Sequence, residues 1–281
     1  MTCLSLGVGV LGAKAQQKEF REVIQKEIPM ANNVENTVVV KNVFGSVEVE
    51  GYQGDAIIVK VERIITAKNT QDLELGKAEL QLNIIQEPKR TIFHPDAPYI
   101  NFDKDRLNYN WCNNNNDIPY EHRLNFTLKV PNSVTIHVGT INDGEVVVKN
   151  TKGNLIEAEN INGGITLTNI MGKTYVDCIN GPVNISYAEN PNDASRYHAL
   201  NGDINISYQK SLSANITFKS MNGDLYTDFD INKEFVRTDR QKGNRDKPKY
   251  KFEATPVVQI GSGQVDFDFE TLNGNVFIKK I

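Results

Sequence analysis

The chain repeats one short pattern built on an Asn-Gly step: NINGGITL at residues 160–167, CINGPVNI at 178–185 and ALNGDINI at 199–206. Related copies are SMNGDLYT at 220–227 and TLNGNVFI at 271–278, with a variant at Asn142-Asp143-Gly144. Counted from Asn142, successive asparagines are 20, 18, 21, 21 and 51 residues apart. A fixed period near 20 is typical of repeat proteins, in which each copy stacks on its neighbours.

Side chains around the step alternate as a β-strand requires. Four positions before the Asn, every copy is apolar, and three positions before it most copies are charged. This alternation predicts one column in the core and one in water. The column directly before the Asn is also apolar throughout: Ile141, Ile161, Ile179, Leu200, Met221 and Leu272.

Two architectures fit these repeats. An Asn-Gly step between alternating runs is a strong signal for a type I′ hairpin, which would give an antiparallel meander. Alternatively, each step is a corner of a parallel β-solenoid in which asparagines stack and hydrogen-bond as a ladder. Pro182 follows one Asn-Gly step and has no amide hydrogen for hairpin pairing. We therefore favour the solenoid and keep the meander as the alternative.

The rest of the chain divides by composition into segments of a single domain over residues 16–281. We predict a β-rich part at 36–86, an irregular insertion at 87–122, the Asn-Gly repeats at 124–229, a second insertion at 230–255 and terminal strands at 256–281. Asn69 to Asp72 is a helix-capping sequence that predicts a short helix through about Ala78. A second helix is a weaker prediction for Lys18 to Gln25.

Residues 1–15 resemble part of a signal peptide. Leu4 to Gly12 is apolar, and Ala13-Lys14-Ala15 has the small-x-small pattern of a cleavage site. We predict an exported protein, periplasmic, outer-surface or secreted; a buried strand or helix is the alternative. No other segment is long and apolar enough to span a bilayer. The formal net charge of -4 among 281 residues gives no reason to expect a nucleic-acid partner.

An oxidising compartment would permit Cys112 and Cys178 to form a disulfide. Cys178, however, shares its repeat column with Asn160, Ala199, Ser220 and Thr271, which are small or modest in size. We therefore favour a packing role for Cys178.

The repeats, the segment Asn125 to Pro131 (NFTLKVP) and the early segment Asn42 to Val49 (NVFGSVEV) are similar to a bacterial adhesin family, DUF4097, which is related to head GIN domain proteins. The resemblance covers most of residues 36–281. It implies an all-β fold, a right-handed, single-stranded β-solenoid on exported proteins, and it supplies no catalytic residues. The two insertions depart from the family pattern.

Candidate contact residues lie in these insertions, since binding residues are over-represented on connecting segments. The second insertion is basic, with Arg237, Arg240, Lys242, Arg245 and Lys247, and could engage an acidic glycan or lipid head groups. The first carries aromatic side chains, including Tyr109 and Trp111. The alternatives are a solvated loop for the basic segment and a lid over one end of the solenoid for the aromatic one.

Asp266, Asp268 and Glu270 alternate with Phe267 and Phe269 and so project to one side. Such a stripe could bind calcium, or could supply the acids of a polysaccharide-cleaving enzyme, but we favour a solvated strand face. Tyr187, Tyr208 and Phe229 recur every 21 residues in the inward parity. For these rings we favour a core stack over a sugar-binding surface.

We predict a non-catalytic exported binding scaffold for a glycan or a surface protein, with no metal or cofactor. A polysaccharide-degrading β-helical enzyme is one alternative, and a structural or envelope-sensing component is another.

Overall fold

The protein is described here from a computed structural model, in which residues 17–110, 118–242 and 250–281 are defined. These ranges contain β1 (Lys18–Pro29), β2 (Thr37–Lys41), β3 (Val47–Tyr52), β4 (Ala56–Ala67), α1 (Thr70–Glu79), β5 (Gln81–Glu87), β6 (Arg90–Asp96), β7 (Phe102–Asp103), β8 (Asn108–Tyr109), β9 (Tyr120–Pro131), β10 (Thr135–Thr140), β11 (Val146–Lys149), β12 (Leu155–Asn162), β13 (Ile165–Ile170), β14 (Lys173–Asn180), β15 (Val183–Tyr187), β16 (Ser195–Asn201), β17 (Ile204–Tyr208), β18 (Ala214–Asn222), β19 (Leu225–Thr227), β20 (Ile231–Lys242), β21 (Tyr250–Ile260), β22 (Val265–Asn273) and β23 (Val276–Lys280).

Most of these strands form two sheets that share one apolar core. Sheet A has the order β1-β4-β9-β3-β11-β13-β15-β17-β23-β19, and sheet B has the order β20-β21-β18-β22-β16-β14-β12-β10-β2-β6-β5. Each repeat supplies one strand to each sheet, for example β12 and then β13, and strands of stacked repeats pair in parallel. The fold is therefore an all-β solenoid, as predicted, and the antiparallel meander is wrong.

The Asn-Gly steps are the corners between the two sheets. The Asn201 side-chain amide donates to the Asn180 carbonyl oxygen at 3.0 Å, and Asn180 donates to Asn162 at 2.8 Å. The same bond continues at 2.7–2.9 Å to Asn142 at one end and through Asn273 to Asn222 at the other. At the neighbouring corner position, the Ile165 amide donates to the carbonyl oxygen of Pro182. Proline is tolerated there because this bond uses its carbonyl group and needs no amide hydrogen. The predicted asparagine ladder is confirmed.

The corner glycines are required by the spacing of the coils. A Cβ built on Gly202 would lie 2.1 Å from the carbonyl oxygen of Gly181, and one on Gly274 would lie 2.1 Å from that of Gly202. Both distances are far inside van der Waals contact. Each glycine thus allows the backbone of the next coil to approach.

The residues two positions before the ladder asparagines point inward, and several of them donate to corner carbonyls. The Asn160 amide donates to Gly144 and Gly164, and the Thr271 hydroxyl donates to Gly274 at 2.8 Å. Cys178 occupies the same position, is 3% exposed, and its thiol lies 3.4 Å from the carbonyl oxygens of Gly163 and Gly181. Burial raises the pKa of the Cys178 thiol to about 11. The packing role is confirmed, whereas Cys112 lies outside the described residues.

Aromatic rings fill the core of the later coils. Tyr187 stacks on Tyr208 with ring centroids 5.1 Å apart, and Tyr208 stacks on Phe267 at 5.3 Å. All three rings are buried, and Phe229 is also buried. The core stack is confirmed for Tyr187 and Tyr208, whereas the next ring stacked on Tyr208 is Phe267 instead of the predicted Phe229.

The order of coils at both ends differs from their order in the chain. The last coil, β22 and β23, lies between the coil of β16 and β17 and the coil of β18 and β19. At the other end, β2 and β3 lie between β10 and β11 on one side and β6 and β9 on the other. The first and last repeats of the chain are therefore interior coils.

Antiparallel strands cover the first end of the stack. β4 pairs with β9, and β1 pairs along the whole length of β4. The helix predicted for Lys18 to Gln25 is wrong, because Phe20 and Ile24 alternate with exposed charges along the edge strand β1. The helix predicted after Asn69 is confirmed as α1, and the Asn69 side chain accepts from the Asp72 amide at 2.9 Å.

Both predicted insertions contain more regular structure than expected. The segment 87–122 includes β6, which extends sheet B beside β2, and the beginning of β9. The segment 230–255 forms most of a long antiparallel hairpin, β20 and β21, instead of a loop. Their polar composition concealed these strands, because strand formation depends on context more than on composition.

Candidate functional site

The outer face of sheet B carries ordered rows of side chains, because parallel strands in register place equivalent residues beside one another. One row runs Lys41, Gly139, Glu159, Asp177, His198, Glu270, Lys219 and is charged except at Gly139. From Gly139 onward its members stand three positions before the ladder asparagines. The adjacent row, here called the apolar row, runs Ile141, Ile161, Ile179, Leu200, Leu272, Met221. Its members point outward. The four most exposed are Ile161, Ile179, Leu200 and Met221, whose exposed fractions range from 38% to 77%.

The β7–β8 hairpin forms a first wall over one end of this face. Phe102 of this hairpin stacks on the ring of the buried His94 with centroids 4.3 Å apart. The Tyr109 hydroxyl donates to the Lys41 carbonyl oxygen at 2.8 Å. Tyr109, predicted as a contact residue, therefore anchors the hairpin to the sheet. Trp111 lies outside the described residues.

The β20–β21 hairpin forms a second wall over the other end. Arg237 of β20 reaches Asp266 of β22 with an N–O distance of 2.9 Å. Thr255, which pairs with Arg237 across the hairpin, is buried. Arg240 and Lys242 also lie in β20, but their side chains are outside the described part of the structure, as are residues Arg245 and Lys247. Arg237 is thus the predicted basic residue that the structure places against the sheet.

Both walls stand on the same face of the same sheet. In the strand order of sheet B, β14 and β16 lie between the strands that the two walls cover. The outward side chains of these central strands include Tyr175, Arg196 and His198, none of which the sequence indicated as a site residue. Their only sequence signal was their position in an outward column.

The acidic stripe of β22 is exposed on this face, as predicted, and each member has a basic neighbour. Asp266 pairs with Arg237, Asp268 lies 3.5 Å from His198 Nε2, and Glu270 lies 3.9 Å from it. The hydrogen bond from Arg237 is the chief cause that lowers the pKa of Asp266, and the neighbouring His198 is the chief cause that lowers the pKa of Asp268. A glycosidase proton donor needs a raised carboxyl pKa, so these two acids are poorly suited to that role. The described residues contain no group of three or more acidic, His or Cys side chains placed to hold a metal ion.

His198 is the centre of this charge network. The carboxylates of Asp177 and then Asp268, 3.4 and 3.5 Å from its ring nitrogens, raise the pKa of His198 to about 9, and Arg196, 2.9 Å from Asp177, opposes the shift. The contact with His198 in turn lowers the pKa of Asp177. At neutral pH the network is therefore an imidazolium held between carboxylates of β14 and β22.

We expect the stabilisation from His198 to disappear at high pH. A raised histidine pKa contributes stability in full below the unfolded value of about 6.5, and this contribution is lost as pH rises through about 9. His198→Gln should therefore cost roughly 1 kcal/mol at pH 6 and close to nothing near pH 10, measured by urea unfolding at both values. His137→Gln is the control, because burial lowers the pKa of His137. A His198→Gln cost that does not change with pH would contradict the network.

A separate cleft of about 560 Å³ lies where β1, β4 and β9 extend beyond the corner. Phe44, Tyr120 and His122 line it, and burial lowers the pKa of His122 to about 4. The imidazole is therefore neutral at physiological pH.

The protein is therefore a parallel β-solenoid in which two hairpins flank the outer face of sheet B. Residues 132–261 match the family model described as Toastrack DUF4097, which confirms the resemblance over this stretch. No curated protein matches the chain.

Three solved structures are similar to this chain at low identity. A "putative cell adhesion protein" from Clostridium sporogenes is 12% identical, covering 95% of this chain and 100% of its own, with a TM-score of 0.38. A "putative adhesin" from Bacteroides fragilis is 9% identical (92% and 97% covered, TM-score 0.29). A "putative lipid binding protein" from Parabacteroides distasonis is 10% identical (93% and 96% covered, TM-score 0.28).

Within the described ranges, no helix has the length and apolar character needed to cross a membrane.

Proposed function

We propose that this chain is a non-catalytic, exported binding scaffold of the adhesin kind, which holds a glycan or a surface protein on the outer face of sheet B. One observation carries the proposal: two insertions far apart in sequence fold as walls over the same face. Both walls are fixed to the sheet by specific contacts, Tyr109 to Lys41 and Arg237 to Asp266.

The apolar row supports an interaction role for this face. Outward positions of a solvated sheet are normally polar, yet the row directly before the asparagines is apolar in every coil from Ile141 to Met221. A continuous exposed apolar strip costs solubility and is typical of contact surfaces. The row begins beside the first wall, since Leu107 and Tyr109 line one small cavity together with Ile141 and Ile161.

Export is the other part of the proposal. It rests on the signal-like residues 1–15, which lie outside the described residues, and on the resemblance to exported proteins. Periplasmic, outer-surface and secreted locations are all compatible with it.

Binding can be tested with two shortened hairpins on paired arrays of glycans and of surface proteins. Val236 faces Pro256 across the hairpin, so replacing residues 237–255 by Asn-Gly removes Arg237 and Thr255 while keeping a two-residue turn. Replacing 242–250 by Asn-Gly keeps both residues, because Gln241 faces Lys251.

We expect intact protein and the shorter deletion to bind the same array partner, and the 237–255 deletion to lose it. Binding that survives in both variants would remove the second wall from the proposal. Absence of binding on both arrays, or release of cleavage products from a bound glycan, would overturn the proposed function.

A further inference from the structure

The coil formed by β18 and β19 is open on the side that faces away from β22 and β23. β19 is the last strand of sheet A, and in sheet B the antiparallel strand β21 pairs with β18 only over residues 214–217. Within the described ranges, no strand pairs with the outer edge of residues 218–227. The corner at Asn222 and Gly223 therefore lies on an unpaired edge, where backbone N–H groups have no neighbouring strand.

The interior Asn-Gly steps are each held by two hydrogen bonds to the next coil. The glycine amide donates to the backbone carbonyl oxygen of the next ladder asparagine at 3.0–3.1 Å, and this holds for Gly163, Gly181, Gly202 and Gly274. The asparagine side-chain oxygen accepts from the next side-chain amide at 2.8–3.0 Å, and this holds for Asn162, Asn180, Asn201 and Asn273.

The Asn222-Gly223 step lacks both of these bonds. In the described part of the chain, neither the Gly223 N–H nor the Asn222 Oδ1 has a hydrogen-bond partner, although Asn222 Nδ2 donates to Asn273 at 2.9 Å. Exposure to water does not set this step apart, because all the asparagines of the five Asn-Gly steps are exposed and all their glycines are half-buried. The difference between the open corner and the interior corners is therefore one of hydrogen bonding.

An Asn-Gly step can lose its side-chain amide in water without a catalyst. The glycine nitrogen attacks Asn Cγ, the new N–Cγ bond closes a succinimide ring, and the Cγ–Nδ2 bond breaks as ammonia leaves with the proton of the glycine amide. Water then adds to one of the two ring carbonyls and opens the ring. Attack at Cγ gives Asp, and attack at the backbone carbonyl gives isoaspartate.

Hydrogen bonding of the glycine amide opposes this reaction. Glycine has no Cβ to obstruct the attack, so all the steps share the same steric advantage. The nitrogen, however, can attack only after its N–H has left its acceptor and the peptide has turned toward Cγ, which in an interior coil requires a local opening of the stack. Gly223 needs no such opening.

We propose that Asn222 is a site of spontaneous deamidation in the folded protein, and that the stacked coils protect the interior asparagines. The product carries a carboxylate, which accepts hydrogen bonds but cannot donate one to Asn273. Conversion therefore breaks the terminal bond of the asparagine ladder and adds a second carboxylate to that of Asp224 on the open coil. The open end of the solenoid is thus the part that changes with the time the protein spends in water.

The test is to incubate the folded full chain in mildly alkaline, oxygen-labelled water and to follow the peptides of all five Asn-Gly steps by mass spectrometry. We expect Asn222 to convert at least about tenfold faster than each interior asparagine, because the interior steps must first break two hydrogen bonds. The products should be Asp and isoaspartate, each with one oxygen from the labelled water. The label separates conversion during incubation from conversion during digestion in ordinary water.

The same chain unfolded in guanidinium chloride is the matched control, because all the steps then lose their hydrogen bonds together and their rates should converge. Asn222→Gln should suppress labelling at position 222 in the folded protein, since the longer side chain would have to close a larger ring. An interior asparagine that converts as fast as Asn222 in the folded chain would overturn the proposal. So would a rate advantage of Asn222 that persists unchanged after unfolding, because it would come from local sequence and not from the open coil.

Discussion

Gly202→Ala should unfold the solenoid at a much lower urea concentration than the wild type, with a loss of at least about 3 kcal/mol in the free energy of unfolding. The added Cβ would lie 2.1 Å from the Gly181 carbonyl oxygen, which is backbone and cannot rotate away. The coil on the other side is equally close, because Gly274 packs against Gly202 in the same manner. Relief would require separating two coils and losing their hydrogen bonds.

Gly164→Ala is the control for that substitution. It is also a corner glycine, but its Cβ would lie 3.2 Å from the Pro182 carbonyl oxygen, so a shift of a few tenths of an ångström suffices. We expect a cost of about 1 kcal/mol or less. Equilibrium urea unfolding followed by circular dichroism measures both variants. Equal midpoints for Gly202→Ala and wild type would show that coil spacing does not depend on the glycine column.

Tyr208→Ala should lower the free energy of unfolding by about 3–5 kcal/mol, the range for deleting a buried aromatic ring. The Tyr208 ring is fully buried between Tyr187 and Phe267, at centroid distances of 5.1 and 5.3 Å, so its removal leaves a cavity with rings on two sides. Neither neighbour can fill the gap without leaving its own stack.

Tyr208→Phe separates the ring from its hydroxyl. The Tyr208 hydroxyl is buried near that of Tyr197 but has no partner in good hydrogen-bond geometry within the described residues. The Tyr187 and Tyr197 hydroxyls, by contrast, bond to each other at 2.7 Å. Tyr208→Phe should therefore change stability by less than about 1 kcal/mol, whereas Tyr187→Phe should cost about 1–2 kcal/mol by leaving Tyr197 unpaired. A similar cost for Tyr208→Phe and Tyr208→Ala would show that the hydroxyl, not the stack, stabilises the core.

The sequence by itself determined the repeat and its cross-section. The period near 20, the parity of Tyr187 and Tyr208 and the missing donor of Pro182 are local properties, and they were enough to predict parallel coils, an asparagine ladder and an aromatic core. They also placed Asp266, Asp268 and Glu270 together on one outer face. Such features depend on alternation within one strand, and this alternation is directly visible in the order of the residues.

The tertiary structure alone decided the order of the coils and the position of the site. Nothing in the pattern around Asn273 distinguishes a terminal coil from one inserted between Asn201 and Asn222, because every coil offers the same backbone edge. The walls were missed for a related reason: β20 is largely exposed, so it needs no apolar alternation to be a strand. The pairing of Arg237 with Asp266 follows from how the hairpin crosses β22, a contact between segments 29 residues apart that no local pattern encodes.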